Sequence, residues 1–419
     1  MKSYRSAIFS NEFSAGFPAA GKLFKNIRIV DEKTDLTGAV FVERGIISAV
    51  IPQGCPLPRG AALVVDGAAL GGAPVLMPAF IDLHAHFRDP GWPAKETLES
   101  ACLAAFRGGY GTVVCMANTM PVTDTFAAAR ALRKRAAALG LIDLYPALSL
   151  TRGMEGTSLS DITAPLPPPG ENPTLLLSED GKDVESDVVF LAALAEARRL
   201  GLPVSCHCEA PGAEDSVSAE NRGVRRVIDL MRRVEGVRCH IAHVSTGAAA
   251  AMLREAKARG LALTGEAAPH HIALTAADAE RLGAASRGRV NPPLRSEEDR
   301  RALIEAVRDG TIDAVATDHA PHTDADKEAG APGFIGLETS FSVCFTELVL
   351  KAGLPLSRLS ALMSAAPARI LGLVDRGLIA PGLRADLTIV DLEAPAYTGP
   401  FASRGNNTPF HPPQPPAVS

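Results

Sequence analysis

Eight short apolar runs alternate with stretches of helical period through the middle of this 419-residue chain. Glycine follows several of the helical stretches, as is typical of helix carboxyl ends. Eight such units predict an α/β fold with a (β/α)8 TIM-type barrel. A doubly wound sheet is the rival, but it would need a glycine-rich phosphate loop after an early strand, and the sequence has none. The runs are Val75–His84, Thr112–Met116, Leu144–Leu148, Leu175–Ser178, Val204–His207, Cys239–His243, Leu261–Gly265 and Ile312–Thr317.

Short alternating runs with a hairpin turn occur between Lys22 and Val65, and a similar pattern returns near residue 387. Alternation of this kind indicates antiparallel strands. We therefore predict a small β domain assembled from both chain ends. The predicted divisions are an N-terminal extension at 1–21, the small β domain at 22–74 plus 376–410, the barrel at 75–375 and a proline-rich tail at 411–419.

Bulk properties exclude several classes of protein. The net charge of −5 gives no electrostatic reason to expect nucleic acid or an anionic membrane as a partner. The seven cysteines are scattered, odd in number and without a CxxC pair, so we expect no disulfide framework and a cytoplasmic location. The N-terminus lacks the apolar core of a signal peptide, and the apolar stretch 61–81 is broken by Asp66 and by several glycines and prolines.

Metal-ligand residue types follow five of the eight runs. They include a His-Ala-His segment in which His84 and His86 share one face of a strand. In a parallel barrel these run ends lie on one rim, where active sites are built. Imidazole mixed with carboxylate suits zinc or a similar divalent ion. The candidate ligands are His84, His86, Asp180, His207, His243 and Asp318.

A histidine at a strand end is more often an ordinary structural residue, and some of these are expected to be so. His240 lies an odd number of residues from His243, so alternation predicts that it faces the helices. His270, His271 and His319 fit a structural role as well as a functional one. His411, in the tail, is expected to do nothing.

Nine segments resemble the motifs of bacterial class I dihydroorotases of the amidohydrolase superfamily, and the match runs in order from about Lys22 to Phe410. The broad HxH signature is shared by the whole superfamily, whereas the arginine after it and the later NPPLR and TDHAPH segments are narrower. Ala117 departs from the usual proline, and the C-terminus stops soon after NTPF. The segments are DLHAHFRDPG, MANTMPVTD, SEDGKD, HCE, HIAHVST, APHHIALT, VNPPLR, ATDHAPHT and GLETSF.

The resemblance implies roles for individual residues. His84 and His86 would bind one metal ion, His207 and His243 a second, and Asp180 would bridge them in place of a carboxylated lysine. Asp318 would be both a metal ligand and the general base. The expected cofactor is one or two Zn²⁺ ions, with a binuclear centre favoured. The implied substrate-binding residues are Arg88, Asn118, Asn291, His322, Pro332 and Gly333.

The implied reaction is reversible hydrolysis of the cyclic amide of (S)-dihydroorotate to N-carbamoyl-L-aspartate in pyrimidine biosynthesis, with a metal-activated water and Asp318 as base and then acid. Another cyclic amidase, a hydantoinase or allantoinase, is the alternative, although it does not need the carboxylate clamp of Arg88 and Asn118. An inactive structural subunit of aspartate transcarbamoylase is less favoured, because such a protein is expected to lose metal ligands. A homodimer or an association with aspartate transcarbamoylase stays open.

The segment from Thr323 to Gly333 is polar and short of large apolar residues. It leaves the catalytic rim directly after the last ligand strand. Few apolar contacts would hold it, so we predict a mobile lid over the site; the alternative is an ordinary surface loop.

Overall fold

The computed structural model of this chain describes residues 7–9, 21–168, 171–395, 397 and 399–410. The predicted proline-rich tail lies outside them. Within these ranges, no helix is both long and apolar enough to cross a membrane. The strands are β1 (Ala7–Phe9), β2 (Lys22–Val30), β3 (Asp35–Glu43), β4 (Ile46–Pro52), β5 (Leu63–Asp66), β6 (Pro74–Pro78), β7 (Phe80–Ala85), β8 (Tyr110–Cys115), β9 (Asp143–Pro146), β10 (Leu177–Ser178), β11 (Val204–Cys206), β12 (Cys239–Ile241), β13 (Leu263–Ala267), β14 (Ala314–Val315) and β15 (Leu387–Asp391).

The helices surround the strands and follow the predicted helical stretches closely. Thr97 caps the helix that begins at Leu98, and its hydroxyl accepts a hydrogen bond from the Ser100 amide. The helices are α1 (Gly67–Leu70), α2 (Leu98–Arg107), α3 (Phe126–Ala137), α4 (Asp187–Leu200), α5 (Ser216–Met231), α6 (Gly247–Ala258), α7 (Pro269–Ala273), α8 (Ala276–Leu282), α9 (Glu297–Arg308), α10 (Asp324–Glu328), α11 (Ser340–Cys344), α12 (Leu356–Ser360) and α13 (Ala366–Leu371).

Strands β7 to β14 form a closed parallel barrel. β7, β8 and β9 pair in that order, as do β10 to β14. Two parallel bridges complete the ring, Leu148 with Leu177 and Ala85 with His319. The predicted barrel is confirmed. Because every strand runs in the same direction, the residues that follow the strands meet at one rim.

The small β domain draws strands from both chain ends, as predicted. Its sheet has the order β1-β15-β6-β2-β3-β4, and β5 pairs with β2. β1 pairs antiparallel with β15. The prediction that residues 1–21 form an extension outside the small β domain is therefore wrong at residues 7–9, which extend its sheet.

The first apolar run crosses from one sheet to the other. β6 pairs with β15 and β2 in the small sheet, and only Ala79 separates it from β7, the first barrel strand. The predicted boundary at Val75 is one strand too early. Both strands are apolar and buried, so periodicity gives no sign of the change of sheet.

Charged side chains join the small domain to the amino-terminal side of the barrel. The Arg376 guanidinium donates to Thr112 Oγ1 at 2.9 Å and to Asp143 Oδ2 at 2.6 Å. Arg384 donates to the same Asp143 oxygen at 2.8 Å. These bonds fix the orientation of the sheet relative to β8 and β9.

The chain after β15 does not stay in the small domain. The amides of Ala402 and Ser403 donate to Glu338, and the Asn407 side chain bonds to the rim around Ala320. The prediction that all of 376–410 belongs to the small β domain is therefore wrong for the segment from Ala402 onward. Polar contacts made by buried barrel residues hold it, and local sequence periodicity does not reveal them.

Candidate metal centre and active site

The six predicted metal ligands converge on the carboxyl rim of the barrel. Each lies in a barrel strand or within three residues of its end, because the strands deliver their last side chains to a common place. All six are buried: His84, His86, Asp180, His207, His243 and Asp318.

Asp180 lies between two groups of histidines. Its Oδ1 is 3.5 Å from His207 Nδ1 and 3.6 Å from His243 Nε2, whereas its Oδ2 is 3.5 Å from His86 Nε2. The two oxygens of one carboxylate thus face different histidines. His84 Nε2 is 3.3 Å from the same Oδ1, so His84 lies with His207 and His243 on one side of the carboxylate and His86 lies on the other.

Asp318 closes the other side of the cluster. Its Oδ1 is 3.2 Å from His86 Nε2 and 3.6 Å from His84 Nε2. Two overlapping sets of ligand atoms result, each compact enough to hold an ion: His84 with His86 and Asp318, and His84 with Asp180 and His243.

Two atoms at the centre of this cluster are buried without a hydrogen-bond partner among the described residues, His84 Nε2 and Asp180 Oδ1. Buried polar atoms are normally satisfied, because desolvation without a partner is costly. A divalent cation would satisfy both atoms. Four imidazoles and two carboxylates are a donor set that suits zinc, so the residues present fit the expected metal.

Electrostatics keep both carboxylates ionised, as metal ligands must be. Burial alone would raise the pKa of Asp180, but the charge of His84 and hydrogen bonds from the histidines lower it well below its usual range. Burial would also raise the pKa of Asp318. The bond with His86 and the charge of His84 lower it instead.

A second buried carboxylate orients His84 from behind. Glu266, in β13, accepts hydrogen bonds from His84 Nδ1 and from His240 Nε2, both at 2.9 Å. Burial would raise the pKa of Glu266, but these two bonds lower it to about 2. A carboxylate behind a ligand histidine fixes the ring and its tautomer, so that Nε2 faces the ion.

Sequence reasoning missed Glu266 and misplaced His240. The prediction that His240 faces the helices is wrong, since its ring lies against Glu266 inside the barrel. Glu266 follows the predicted run Leu261–Gly265 directly. An acidic residue at a barrel strand end was the signal that could have found it.

Replacing Glu266 with glutamine should weaken metal binding. The amide keeps the size of the carboxylate but loses the negative charge that holds the two histidines. Changes in such outer partners typically lower metal affinity about 10–100-fold. Competition with a chelator, followed by metal analysis, measures the change. Glu235→Gln, on an exposed glutamate, is the matched control, and equal affinities in the two variants would contradict the orienting role.

Comparison with known proteins places this site in a family. The Amidohydrolase family model matches residues 75–412. A protein named dihydroorotase from Clostridium botulinum (strain Eklund 17B / Type B) is 37% identical over 93% of this chain and 94% of its own length. One from Thermus aquaticus is 40% identical over the same shares. The chain belongs to the dihydroorotase family of amidohydrolases.

Solved structures agree on the fold. L-Hydantoinase (dihydropyrimidinase) from Arthrobacter aurescens superposes with a TM-score of 0.78 at 25% identity, over 93% of this chain and 91% of that one. D-Hydantoinase from Thermus sp. gives 0.70 at 24% identity, over 87% and 85%. The dihydroorotases are thus nearer in sequence than these cyclic amidases are.

Arg88 lies beside the cluster and has an unused donor. Burial lowers its pKa to about 10, which leaves the guanidinium charged at neutral pH. Its Nε is buried and has no hydrogen-bond partner among the described residues. Its backbone φ of 57° is left-handed, a conformation that is strained for arginine.

His322 adjoins Arg88 as a neutral ring. Burial and the charges of Arg88 and Lys95 lower the pKa of His322 to about 3. Its Nε2 lies 2.9 Å from the Pro332 carbonyl and 3.3 Å from Arg88 Nη2, and its Nδ1 lies 3.4 Å from Lys95 Nζ. A neutral ring that donates from Nε2 to Pro332 and accepts at Nδ1 from Lys95 satisfies both atoms.

The other predicted substrate-binding residues already have protein partners. Asn118 Oδ1 is 3.1 Å from His86 Nδ1, and its Nδ2 donates to the Asp180 carbonyl. Asn291 donates to Glu209 at 2.9 Å, and Glu209 in turn contacts the His207 ring. Both asparagines therefore brace metal-cluster residues, a contribution that the sequence did not indicate.

Gly333 also has its backbone groups engaged. Its amide donates to the Arg289 carbonyl at 3.0 Å, and its carbonyl accepts from Lys327 and Asn407. With Pro332 accepting from His322, the Pro332–Gly333 backbone supports the pocket wall in the structure.

The remaining rim histidines are only partly satisfied by the protein: His270 Nε2, His271 Nδ1 and His319 Nε2 are buried without a hydrogen-bond partner among the described residues. His319 Nδ1 accepts from the Gly336 amide at 3.1 Å, and its Nε2 lies 3.5 Å from the buried Glu96, beyond hydrogen-bond geometry. His271 Nε2 lies 2.8 Å from the Pro292 carbonyl. None of these rings lies in the ligand sets around His84.

The predicted lid, Thr323–Gly333, is anchored. Its first turn is α10, with a capping box between Thr323 and Asp326. The buried Lys327 ammonium donates to the carbonyls of Arg289, Ala331 and Gly333 at 2.7–3.0 Å. The prediction of a segment held by few contacts is wrong, because polar bonds replace the missing apolar ones.

Proposed function

We propose that this chain is a zinc-dependent dihydroorotase, which catalyses the reversible hydrolysis of (S)-dihydroorotate to N-carbamoyl-L-aspartate in pyrimidine biosynthesis. The observation that carries it is Arg88: a partly buried, charged guanidinium whose buried Nε has no partner among the described residues, beside a metal-type cluster. The named relatives support the same reading. A binuclear centre bridged by Asp180 and a cytoplasmic location are parts of the proposal.

The chain's own residues divide the work. Zinc held by the six ligands would polarise the amide carbonyl and lower the pKa of a bound water. Asp318, ionised and buried at the cluster, takes a proton from the attacking water as oxygen bonds to the carbonyl carbon. It returns that proton to the ring nitrogen as the carbon–nitrogen bond breaks. The reverse sequence closes the ring.

Arg88 and its neighbours select and orient the substrate. The guanidinium is a planar donor suited to the carboxylate of dihydroorotate. His322, kept neutral, adds a polar ring wall beside it. Holding the carboxylate fixes the distance from the scissile amide to Asp318 and lowers the entropy lost on reaching the transition state.

A hydantoinase is the second candidate, since a hydantoinase superposes with a TM-score of 0.78. A hydantoinase substrate lacks the carboxylate for which Arg88 is placed. An inactive structural subunit fits less well, because all six candidate ligands are present and converge. Both alternatives are tested by the same assay on zinc-loaded protein.

The purified protein should hydrolyse dihydroorotate in preference to dihydrouracil, the same ring without the carboxylate. Arg88→Ala should lower kcat/KM for dihydroorotate about 100-fold, because a buried charge-assisted bond to the substrate is lost. The rate with dihydrouracil should change little. Steady-state kinetics with both substrates measure the ratio.

Arg225→Ala, on an exposed arginine, is the control for loss of a positive charge. A wild-type preference for dihydrouracil or hydantoin would favour the hydantoinase instead. If the zinc-loaded protein hydrolysed none of dihydroorotate, dihydrouracil and hydantoin, the result would support the structural-subunit alternative.

A further inference from the structure

The segment after β15 forms a C-terminal strap, residues 402–408, that crosses the catalytic rim. Four of its residues are buried: Ser403, Gly405, Asn407 and Thr408. A Cβ added to Gly405 would lie 2.6 Å from Asn407 Oδ1 and 3.0 Å from the Pro321 side chain. The strap is thus closely packed on the loop that follows Asp318.

Two carboxylates, the partly buried Glu338 and the fully buried Glu96, fix the beginning of the strap. Glu338 accepts from the Ala402 amide at 2.8 Å. Glu96 accepts from the Ser403 hydroxyl at 2.5 Å and from the Arg404 amide at 3.1 Å. Glu96 also lies against His319, so these bonds tie the strap to the rim itself.

Asn407 then holds both sides of the substrate pocket. Its Oδ1 accepts from the His322 amide at 3.0 Å. Its Nδ2 donates to the carbonyls of Ala320 at 2.8 Å and Gly333 at 3.0 Å. One buried side chain therefore joins His322, which precedes the 323–333 segment, to Gly333 at its end. A further bond runs from the Ile335 amide to the Asn407 carbonyl.

We infer that Asn407 is a positioning residue for substrate binding, which acts through the backbone of His322 and Gly333. Fixing both segments sets the distance between His322 and Arg88 and keeps the Pro332 carbonyl against the His322 ring. This inference rests on the proposed function, because it takes Arg88 and His322 as the carboxylate-binding wall. The strap touches none of the six candidate metal ligands in the bonds described above.

Asn407→Ala tests the inference in the full-length, zinc-loaded protein. Loss of three buried bonds should raise KM for dihydroorotate about tenfold, with kcat within about threefold of wild type and metal content unchanged. A loss of structure would lower kcat and metal content as well. Asn406→Ala, on the exposed neighbouring asparagine, is the matched control and should keep the wild-type KM.

Ser403→Ala removes a single bond of the strap and covers the case in which Asn407→Ala does not fold. It should raise KM by a smaller factor, about twofold to threefold. A KM equal to that of Asn406→Ala in every folded strap variant would overturn the inference.

Hydrogen exchange of peptides covering 319–335 separates this inference from the proposed function. Exchange should quicken in Asn407→Ala, since the His322 amide loses its acceptor, whatever the substrate is. Unchanged exchange would overturn the positioning role of Asn407. A wild-type protein inactive on dihydroorotate would instead overturn the proposed function and leave the exchange result standing.

Discussion

Asp318→Asn should give a folded, metal-containing protein with almost no turnover. Asparagine matches the shape of aspartate and keeps one ligand oxygen, but it cannot take a proton from water or deliver one to the ring nitrogen. General acid–base catalysis raises the rate about 10²–10⁴-fold. We expect kcat to fall by at least this factor, because Asp318 is also a candidate metal ligand. The measurement is kcat for dihydroorotate hydrolysis alongside zinc analysis of the same sample.

Asp229→Asn, on an exposed aspartate of α5, controls for the substitution itself. It should keep the wild-type rate. If kcat of Asp318→Asn were within a few-fold of the wild-type value, Asp318 would not be the general base. If the variant contained no zinc, the main role of Asp318 would be that of a metal ligand.

His84→Ala and His86→Ala should each lose zinc and activity together while the barrel stays folded. His84 contributes the unpaired Nε2 at the centre of both ligand sets, and His86 faces both carboxylates. Without His84 neither set is complete, and without His86 the set that contains Asp318 is incomplete, so catalysis that depends on a polarised carbonyl should fall to background. Metal per chain, rate and thermal unfolding should be measured on one preparation.

His411→Ala controls for loss of a histidine, because His411 lies in the predicted tail. Chelation of the wild type should abolish its activity, and added zinc should restore it, but zinc should restore neither site variant at stoichiometric amounts. Full activity in metal-free wild type would contradict the metal-dependent mechanism.

The sequence predicted the barrel and the convergence of the ligands because both follow from strand direction. Parallel strands deliver their ends to one rim whatever the details of packing. His240 shows where that reasoning stops. β12 ends at Ile241, and His243 has a φ of 30°, so the chain is no longer extended there and strand parity does not relate the two histidines.

The sequence did not predict how residues 323–333 are anchored or where the C-terminal strap lies, and the reason is different. Local composition shows that the segment after His322 has few apolar residues. It does not show that three backbone carbonyls accept hydrogen bonds from Lys327 and anchor the segment. Asn407 meets His322 across 85 residues of sequence. Bonds of this separation depend on the assembled fold, so one sequence without its structure does not reveal them.

The single residue between β6 and β7 has a thermodynamic consequence. With only Ala79 separating adjacent sheets, and with Arg376 bonded to β8 and β9, the small sheet has no linker about which to swing. Strand β7, which carries His84, starts where the small sheet ends. Unfolding of that sheet would therefore disturb β7, a strand of the barrel. We therefore expect the two domains to unfold as one cooperative unit, so that a destabilising change in the sheet should also lower the stability of the metal-ligand cluster.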